Sequence, residues 1–184
     1  MTDDDVVTAR RRFAEELRHT ARVRSPAVVR AFATVPRERF AGPGPWRILD
    51  PTDLSSYRTT ADADPRHLYH DVLVAIDEAR RLNNGQPGLW AALYDRLGLA
   101  AGAHVVHVGA GTGYYSAVLA EIVGWEGRVT AVEIDPSLAR QARENLGLVQ
   151  DTCKKWSQAS RRPSTALRPA RYALLDTRAV PLSG

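Results

Sequence analysis

The chain has 184 residues, 44% of them hydrophobic and 25% charged, with a net charge of +4, which is typical of a soluble globular protein with a buried core. No apolar run reaches the ~18 residues of a membrane helix, and the acidic start MTDDDVV lacks the layout of a signal peptide, so we predict a cytoplasmic protein without a membrane partner. The single cysteine, Cys153, excludes an internal disulfide and a cysteine-rich zinc site, and we predict no metal centre.

Two helices are predicted at the amino-terminal end. The first is amphipathic and covers residues 3–23, with acidic residues at its start. The second begins with Ser25 as N-cap and Pro26 at its first position, and Pro36 ends it. Residues 41–65 are rich in Pro, Gly, Asp, Ser and Thr, which predicts a long loop.

The next segment predicts a short strand and then a helix. The run VLVAI, residues 72–76, is of β type. The stretch NNGQPGLWAALYDRLGL predicts a turn followed by a helix that starts near Pro87. Three leucines fall on one face of that helix: Leu89, Leu93 and Leu97.

A strand–turn–helix–strand unit is predicted between residues 104 and 135. His104 to Val108 is a short apolar run of the buried-strand type. The helix after the turn has a stripe of apolar residues at helical spacing from Tyr115, and the strand GRVTAVEI follows it. Asp135 then caps another helix, so the order of elements predicts an α/β fold with a parallel sheet.

The turn GAGTG joins the first strand of this unit to its helix. Gly109, Gly111 and Gly113 let a ligand approach the backbone at the positive end of the helix dipole. Glu133 ends the next strand, where a carboxylate can accept hydrogen bonds from ribose hydroxyls. Tyr114 stands where the dinucleotide fingerprint has its last glycine, which disfavours an NAD or nucleotide-sugar enzyme. Glycines that only permit close packing are the alternative interpretation.

This turn and acid resemble the first motif of class I S-adenosylmethionine-dependent methyltransferases. Upstream, VPRERF, YHDVLVAI and NNGQP follow one another in the order seen in the protein-L-isoaspartate O-methyltransferase family, and the resemblance covers about residues 10–146. It implies a Rossmann-like class I methyltransferase fold with a mainly parallel sheet and S-adenosyl-L-methionine as cofactor. It also implies methyl transfer to the carboxylate of an aspartyl or isoaspartyl residue in a protein or peptide, as in protein repair.

The resemblance also implies site residues. Those expected at the cofactor are His107, Gly109, Ala110, Gly111, Gly113, Glu133 and Ile134. Those expected at the reacting end are Asp71, Asn83, Asn84, Gly85 and Gln86. Because a carboxylate is already ionised at neutral pH, the enzyme has mainly to position its reactants and needs no strong general base.

The chain departs from the family pattern at three places. Gly85 replaces a loop hydroxyl, and His107 replaces the acid two residues before the first glycine. A neutral imidazole can still accept one hydrogen bond from a ligand, and a histidine satisfied within the protein is the alternative. After Leu146 the family's third strand and its Asp-Gly pair are missing, and RYALLD is the only candidate strand that follows.

The carboxy-terminal tail differs in charge from the rest. Residues 1–150 hold 18 basic and 19 acidic residues, a net charge of −1, whereas residues 151–184 hold 7 basic and 2 acidic residues, a net charge of +5. The tail does not alternate aromatic and basic residues, which argues against a nucleic-acid partner.

We therefore predict four parts in the chain. They are amino-terminal helices (1–40), a loop and short strand over the active site (41–85), the cofactor-binding βαβ core (86–146) and a divergent basic tail (147–184). A fold that is incomplete at its C-terminus leaves a bare apolar edge, so we expect a marginal, aggregation-prone chain or one completed by strands of another chain. An inactive truncated relative that only binds the cofactor is the alternative function.

Overall fold

The computed structural model describes residues 2–159 and 171–176, and the chain forms two compact units, Met1–Gly98 and Leu99–Gly184. In the amino-terminal unit, three α-helices and two short 3-10 helices, Arg37–Arg39 and Pro65–Leu68, accompany two small antiparallel sheets. The α-helices are α1 (Asp3–Thr20), α2 (Pro26–Thr34) and α3 (Pro87–Leu97), and the sheets pair β1 (Arg47–Leu49) with β2 (Tyr57–Thr59) and β3 (Ala75–Asp77) with β4 (Leu82–Asn83). Among the described helices, none combines the length and apolar character needed to cross a bilayer.

Both predicted amino-terminal helices are present, and they pack on each other through aromatic side chains. Phe13 of α1 meets Phe32 of α2 edge to face, with 6.5 Å between ring centroids. Ser25 caps α2 by accepting a hydrogen bond from the Val28 N–H at 3.4 Å, and Pro26 occupies the first helical position, as predicted. Capping and burial of the aromatic face therefore define this helix pair.

The prediction of a continuous loop over residues 41–65 was wrong, because β1 and β2 form a hairpin there. Ile48 pairs with Arg58 across the hairpin and packs into a buried cluster with Trp46, Leu68 and Val74. Strands of three residues are too short to show a clear alternation in the sequence, so composition alone indicated a loop. The predicted strand at 72–76 lies slightly later, as β3.

Helix α3 begins at Pro87 as predicted and belongs to the amino-terminal unit. Its buried residues are Pro87, Gly88, Ala91 and Tyr94. The three leucines that share a face, Leu89, Leu93 and Leu97, are exposed. The core side of α3 is therefore formed by small residues and one tyrosine, which allows its backbone to approach the rest of the unit closely.

The carboxy-terminal unit is the predicted α/β assembly. Its strands β5 (His104–Val108), β6 (Arg128–Glu133) and β7 (Arg171–Asp176) are parallel and adjacent in that order, and the strand expected at RYALLD is β7. Helix α4 (Tyr114–Val123) connects β5 to β6, and α5 (Pro136–Ala159) follows β6. Helices α4 and α5 both pack on β6 and contact each other, so they lie on the same face of the sheet.

One face of strands β5 and β6 is buried, and on the other face β5 carries exposed apolar side chains. Val129 and Ala131 of β6 are buried on the helix-covered face. On the opposite face of β5, Val106 is 66% exposed and Val108 is 75% exposed. The prediction that residues 104–108 form a strand of the buried type was therefore wrong for this face, because the described helices of this unit cover only the other one.

Candidate active site

The glycine turn, residues 109–113, is closed onto the carboxyl end of β6. The N–H groups of Gly109 and Ala110 both donate to the Val132 carbonyl, at 2.8 and 3.1 Å, and Gly113 N–H donates to the Ala110 carbonyl at 2.9 Å. All three glycines of the turn have positive φ angles, between 56° and 96°, which side-chain-bearing residues rarely adopt. The backbone conformation therefore requires glycine at these positions.

Close packing adds a second requirement at Gly113. A Cβ atom on Gly113 would lie 3.3 Å from Ala142 Cβ and from Leu146 Cγ of α5. At Gly109, in contrast, a Cβ atom would meet nothing within 4 Å. The turn is thus packed against α5 at one end and open at the other, so it can admit a ligand near Gly109.

Glu133 lies at the glycine turn, as predicted from its position at the end of the next strand. Its side chain is buried, and Oε2 accepts a hydrogen bond from Gly111 N–H at 2.7 Å while Oε1 accepts one from Asp135 N–H at 2.9 Å. Each carboxylate oxygen can accept a second hydrogen bond, so a hydroxyl donor can still be bound. The structure therefore brings the turn and the acid together in one site.

His107 is buried beneath the turn. Its Nδ1 lies 2.8 Å from Ser116 Oγ of α4. Burial lowers the pKa of His107 below its ordinary value, and the nearby Glu133 carboxylate opposes that shift. The ring therefore joins β5 to α4 in its neutral form, and a role toward the cofactor stays a prediction.

The two remaining residues predicted for the cofactor differ in exposure. Ala110 is buried within the turn, where its backbone N–H bonds Val132. Ile134, directly after Glu133, is 78% exposed. An exposed apolar side chain beside a buried acid offers a flat aromatic ring a surface to pack against.

In the amino-terminal unit, Asp71 holds the beginning of α3. Its Oδ1 accepts a hydrogen bond from Gly88 N–H at 2.6 Å, and its Oδ2 accepts one from Gln86 Nε2 at 2.9 Å. A Cβ atom on Gly88 would lie 2.6 Å from Asp71 Oδ2, so a larger residue there would displace the Asp71 carboxylate. The structure thus brings Asp71 and Gln86 together, with the acid capping the helix.

Asn83 and Asn84 are fixed through their side-chain oxygens. Tyr57 donates its hydroxyl to Asn83 Oδ1 at 2.8 Å. Asn84 Oδ1 accepts hydrogen bonds from Arg37 Nη2 and Val74 N–H, both at 3.2 Å. Asn84 Nδ2 is buried and has no hydrogen-bond partner among the residues that the structure describes, so this amide keeps an unused donor.

Gly85 follows with φ of +81°, in the left-handed region. A serine or threonine in this conformation would be strained. The positive φ at this position is therefore consistent with glycine in place of the family's hydroxyl residue.

Sequence reasoning missed the role of Arg37, which is completely buried. Its guanidinium donates to the carbonyls of Leu68, His70 and Val72 at 2.7, 3.2 and 2.6 Å, and also to Asn84. The VPRERF element thus ties the segment 68–72 to the loop that contains Asn84. The motif marked this residue, but the backbone carbonyls that it binds leave no signal in the sequence.

The neighbouring Glu38 anchors the same segment. Its carboxylate accepts a hydrogen bond from the Tyr69 hydroxyl and one from Arg10 Nη2 at 3.2 Å. Burial and the Glu38 charge raise the pKa of Tyr69 above its ordinary value, so the hydroxyl stays protonated as the donor. Tyr69 therefore has a structural role in this unit, linking its segment to Glu38.

Asn145 was also missed. It lies on α5, is buried, and donates from Nδ2 to the Thr112 carbonyl at 3.0 Å. Leu138, Ala142 and Leu146 form the apolar stripe around it. A polar residue within an apolar stripe is the signal that could have identified it.

Comparisons with known proteins agree on one family. The sequence model of the protein-L-isoaspartate(D-aspartate) O-methyltransferase family matches residues 8–153. A protein-L-isoaspartate O-methyltransferase of Aeropyrum pernix is 38% identical over 138 residues, which are 75% of this chain and 45% of the relative. One from Methanopyrus kandleri is 34% identical over 148 residues, 79% of this chain and 56% of the relative. The chain spans about half the length of the curated relatives it matches.

Solved structures show the same fold. One protein-L-isoaspartate O-methyltransferase aligns with a TM-score of 0.61 and 22% identity, over 91% of this chain and 41% of that protein. A Plasmodium falciparum chain described as a protein-L-isoaspartate O-methyltransferase, solved with S-adenosyl-L-homocysteine, aligns with a TM-score of 0.59 and 16% identity, over 90% and 62%. With most of its length matched by the family's sequence model, this chain belongs to the protein-L-isoaspartate(D-aspartate) O-methyltransferase family.

Proposed function

We propose that this chain binds S-adenosyl-L-methionine and transfers its methyl group to an aspartyl or isoaspartyl carboxylate of a protein or peptide. Membership in the family supports the reaction class. The observation that carries the proposal is the glycine turn with its three positive φ angles, held against the buried Glu133 carboxylate. A protein or peptide partner, a role in repair and a cytoplasmic location belong to the same proposal.

The carboxy-terminal unit has the features that the cofactor requires. The space beside Gly109, which a Cβ atom would fill, lets a ligand reach the turn and the start of α4. Glu133 can accept hydrogen bonds from ribose hydroxyls, and Ile134 offers apolar surface beside it. When bound, S-adenosyl-L-methionine supplies an electrophilic methyl carbon on a sulfonium. The turn and the acid hold and orient it.

The loop at 83–87 is our proposal for the methyl-accepting end. An aspartyl carboxylate is ionised at neutral pH, so the loop has to orient it and exclude water rather than remove a proton. Asn84 Nδ2 is an amide donor of the kind that a carboxylate oxygen accepts, and because it is buried, the loop has to rearrange before a substrate can reach it. Because Gly85 replaces the hydroxyl of the family, a carboxylate in one particular peptide fits this loop as well as a general isoaspartyl residue does.

Transfer of labelled methyl groups tests the proposal. The full chain is incubated with methyl-labelled S-adenosyl-L-methionine and a peptide that carries isoaspartate, with the aspartyl peptide of the same sequence as comparison. We expect a base-labile methyl ester on a carboxylate, and its loss in Glu133→Ala but not in the exposed Glu126→Ala control. A folded sample that binds S-adenosyl-L-homocysteine but methylates no peptide would reject the proposed activity and favour an inactive cofactor-binding relative.

A further inference from the structure

Asn145 fixes one peptide group of the glycine turn. The carbonyl of Thr112 accepts from Asn145 Nδ2 at 3.0 Å, while the N–H of the same peptide group, that of Gly113, donates to the Ala110 carbonyl at 2.9 Å. In a trans peptide the C=O and N–H point in opposite directions from one rigid plane. The two hydrogen bonds therefore set the orientation of the whole 112–113 peptide plane.

The neighbours of Asn145 on α5 hold the same end of the turn. Ala142 and Leu146 close on Gly113, where an added Cβ atom would lie at 3.3 Å from each. Glu133 fixes the preceding part of the turn through Gly111 N–H at 2.7 Å. Three successive turn residues are thus held by β6 and α5, and Asn145 is the polar contribution of α5.

We propose that Asn145 is a positioning residue for the cofactor, acting through the 112–113 peptide plane. This inference rests on the proposed function for the identity of the ligand. A buried amide within an apolar stripe is unfavourable unless it is hydrogen-bonded. The Asn145 amide bonds the carbonyl of Thr112 in the turn and not a group of α5. Removing this hydrogen bond is therefore expected to affect the conformation of the turn more than that of the helix.

Isosteric substitution separates positioning from packing. Asn145→Leu and Asn145→Asp keep the size of the side chain and remove the donor, and Asn145→Ala serves as a smaller variant. Leu138→Ala is the matched control, because Leu138 is a buried residue of α5 whose truncation loosens the same helix. All variants are made in the full chain.

Two measurements are made on each variant. Calorimetric titration gives the dissociation constant of S-adenosyl-L-homocysteine, and amide hydrogen exchange of the ligand-free protein follows Gly113 N–H. We expect about tenfold weaker binding and faster exchange at Gly113 in Asn145→Leu and Asn145→Asp. We expect Leu138→Ala to lower the melting temperature with little change in the dissociation constant of the folded protein.

Wild-type affinity of the Asn145 variants for S-adenosyl-L-homocysteine would overturn the inference, whatever happens to their melting temperatures. If the unmodified chain fails to bind S-adenosyl-L-homocysteine, the proposed function is rejected. The exchange of Gly113 then decides whether Asn145 fixes the 112–113 peptide plane: faster exchange confined to the turn supports this positioning, and unchanged exchange overturns it.

Discussion

Replacing Arg37 by methionine removes the group that holds four oxygen atoms inside the amino-terminal unit. These oxygens are the carbonyls of Leu68, His70 and Val72 and the side chain of Asn84, at 2.6–3.2 Å from the guanidinium. Because Arg37 is completely buried, water does not replace the lost donors without a rearrangement. Methionine retains an unbranched stem, so the substitution tests the hydrogen bonds more than the packing.

The size of the effect follows from the acceptors that lose their donor. The His70 carbonyl keeps the Val72 N–H and Asn84 Oδ1 keeps the Val74 N–H, so the carbonyls of Leu68 and Val72 are the two most affected. A buried acceptor left without a donor destabilises the folded state by about 1–3 kcal/mol. Relaxation of the segment 68–72 recovers part of this, so we expect a loss of about 3–5 kcal/mol in the free energy of unfolding. Arg37→Lys retains a charge but not the planar fork of donors, and about 1–3 kcal/mol is expected. These losses are a large share of the ~5–15 kcal/mol that stabilises a typical domain.

Urea unfolding of the full chain, followed by tryptophan fluorescence, measures these losses. Trp46 reports on the amino-terminal unit, since it packs in the cluster with Ile48, Leu68 and Val74. Arg66→Met is the matched control, because Arg66 is exposed and its ion pair with Asp64 lies at the surface, where such pairs contribute little. An unfolding midpoint for Arg37→Met that coincides with that of Arg66→Met would refute the role assigned to Arg37.

Three further predictions concern individual residues. Since burial lowers the pKa of His107, the unfolded chain binds a proton more readily than the folded chain does. The stability that depends on neutral His107 is complete above about pH 6.5 and is lost as the pH falls toward the folded pKa. His107→Gln should therefore flatten the dependence of the urea midpoint on pH, and an unchanged dependence would contradict this. Gly113→Ala should destabilise the chain by about 1 kcal/mol more than Gly109→Ala. Both positions have a positive φ, but only at Gly113 would the added Cβ atom also press against α5. Equal shifts in the melting temperature would contradict this. Gly85→Ser should lower the free energy of unfolding by about 1 kcal/mol, because Gly85 has a positive φ, and should not raise the initial rate of methyl transfer. A faster rate at an unchanged melting temperature would show that the loop accepts a hydroxyl without strain.

Local signals in the sequence predicted the elements that local chemistry specifies. Ser25 and Pro26 mark the start of α2, and Pro87 marks the start of α3, because capping and a fixed φ act within one helical turn. The turn at 109–113 and the acid Glu133 were also predicted together, because of the geometry of the unit that holds them. A parallel βαβ unit brings the ends of its two strands to one edge of the sheet, and the structure shows the hydrogen bond between them.

Features that depend on distant parts of the chain were not predictable in this way. The apolar run of β5 indicated burial on both faces, but that burial depends on layers that other segments must supply, and Val106 and Val108 are exposed. Arg37 and Asn145 act on backbone carbonyls about 30 residues away in the chain, and carbonyls carry no sequence information. For Asn145, its position within the apolar stripe of α5 does indicate a buried, hydrogen-bonded side chain.

Calorimetric titration of S-adenosyl-L-homocysteine into the full chain tests the central claim, that the glycine turn and Glu133 together hold the adenosyl cofactor. We predict saturable binding at one site, weakened about tenfold or more in Glu133→Ala and unchanged in Glu126→Ala. Heats of binding for Glu133→Ala that match those of the unmodified chain, with the same dissociation constant, would contradict it.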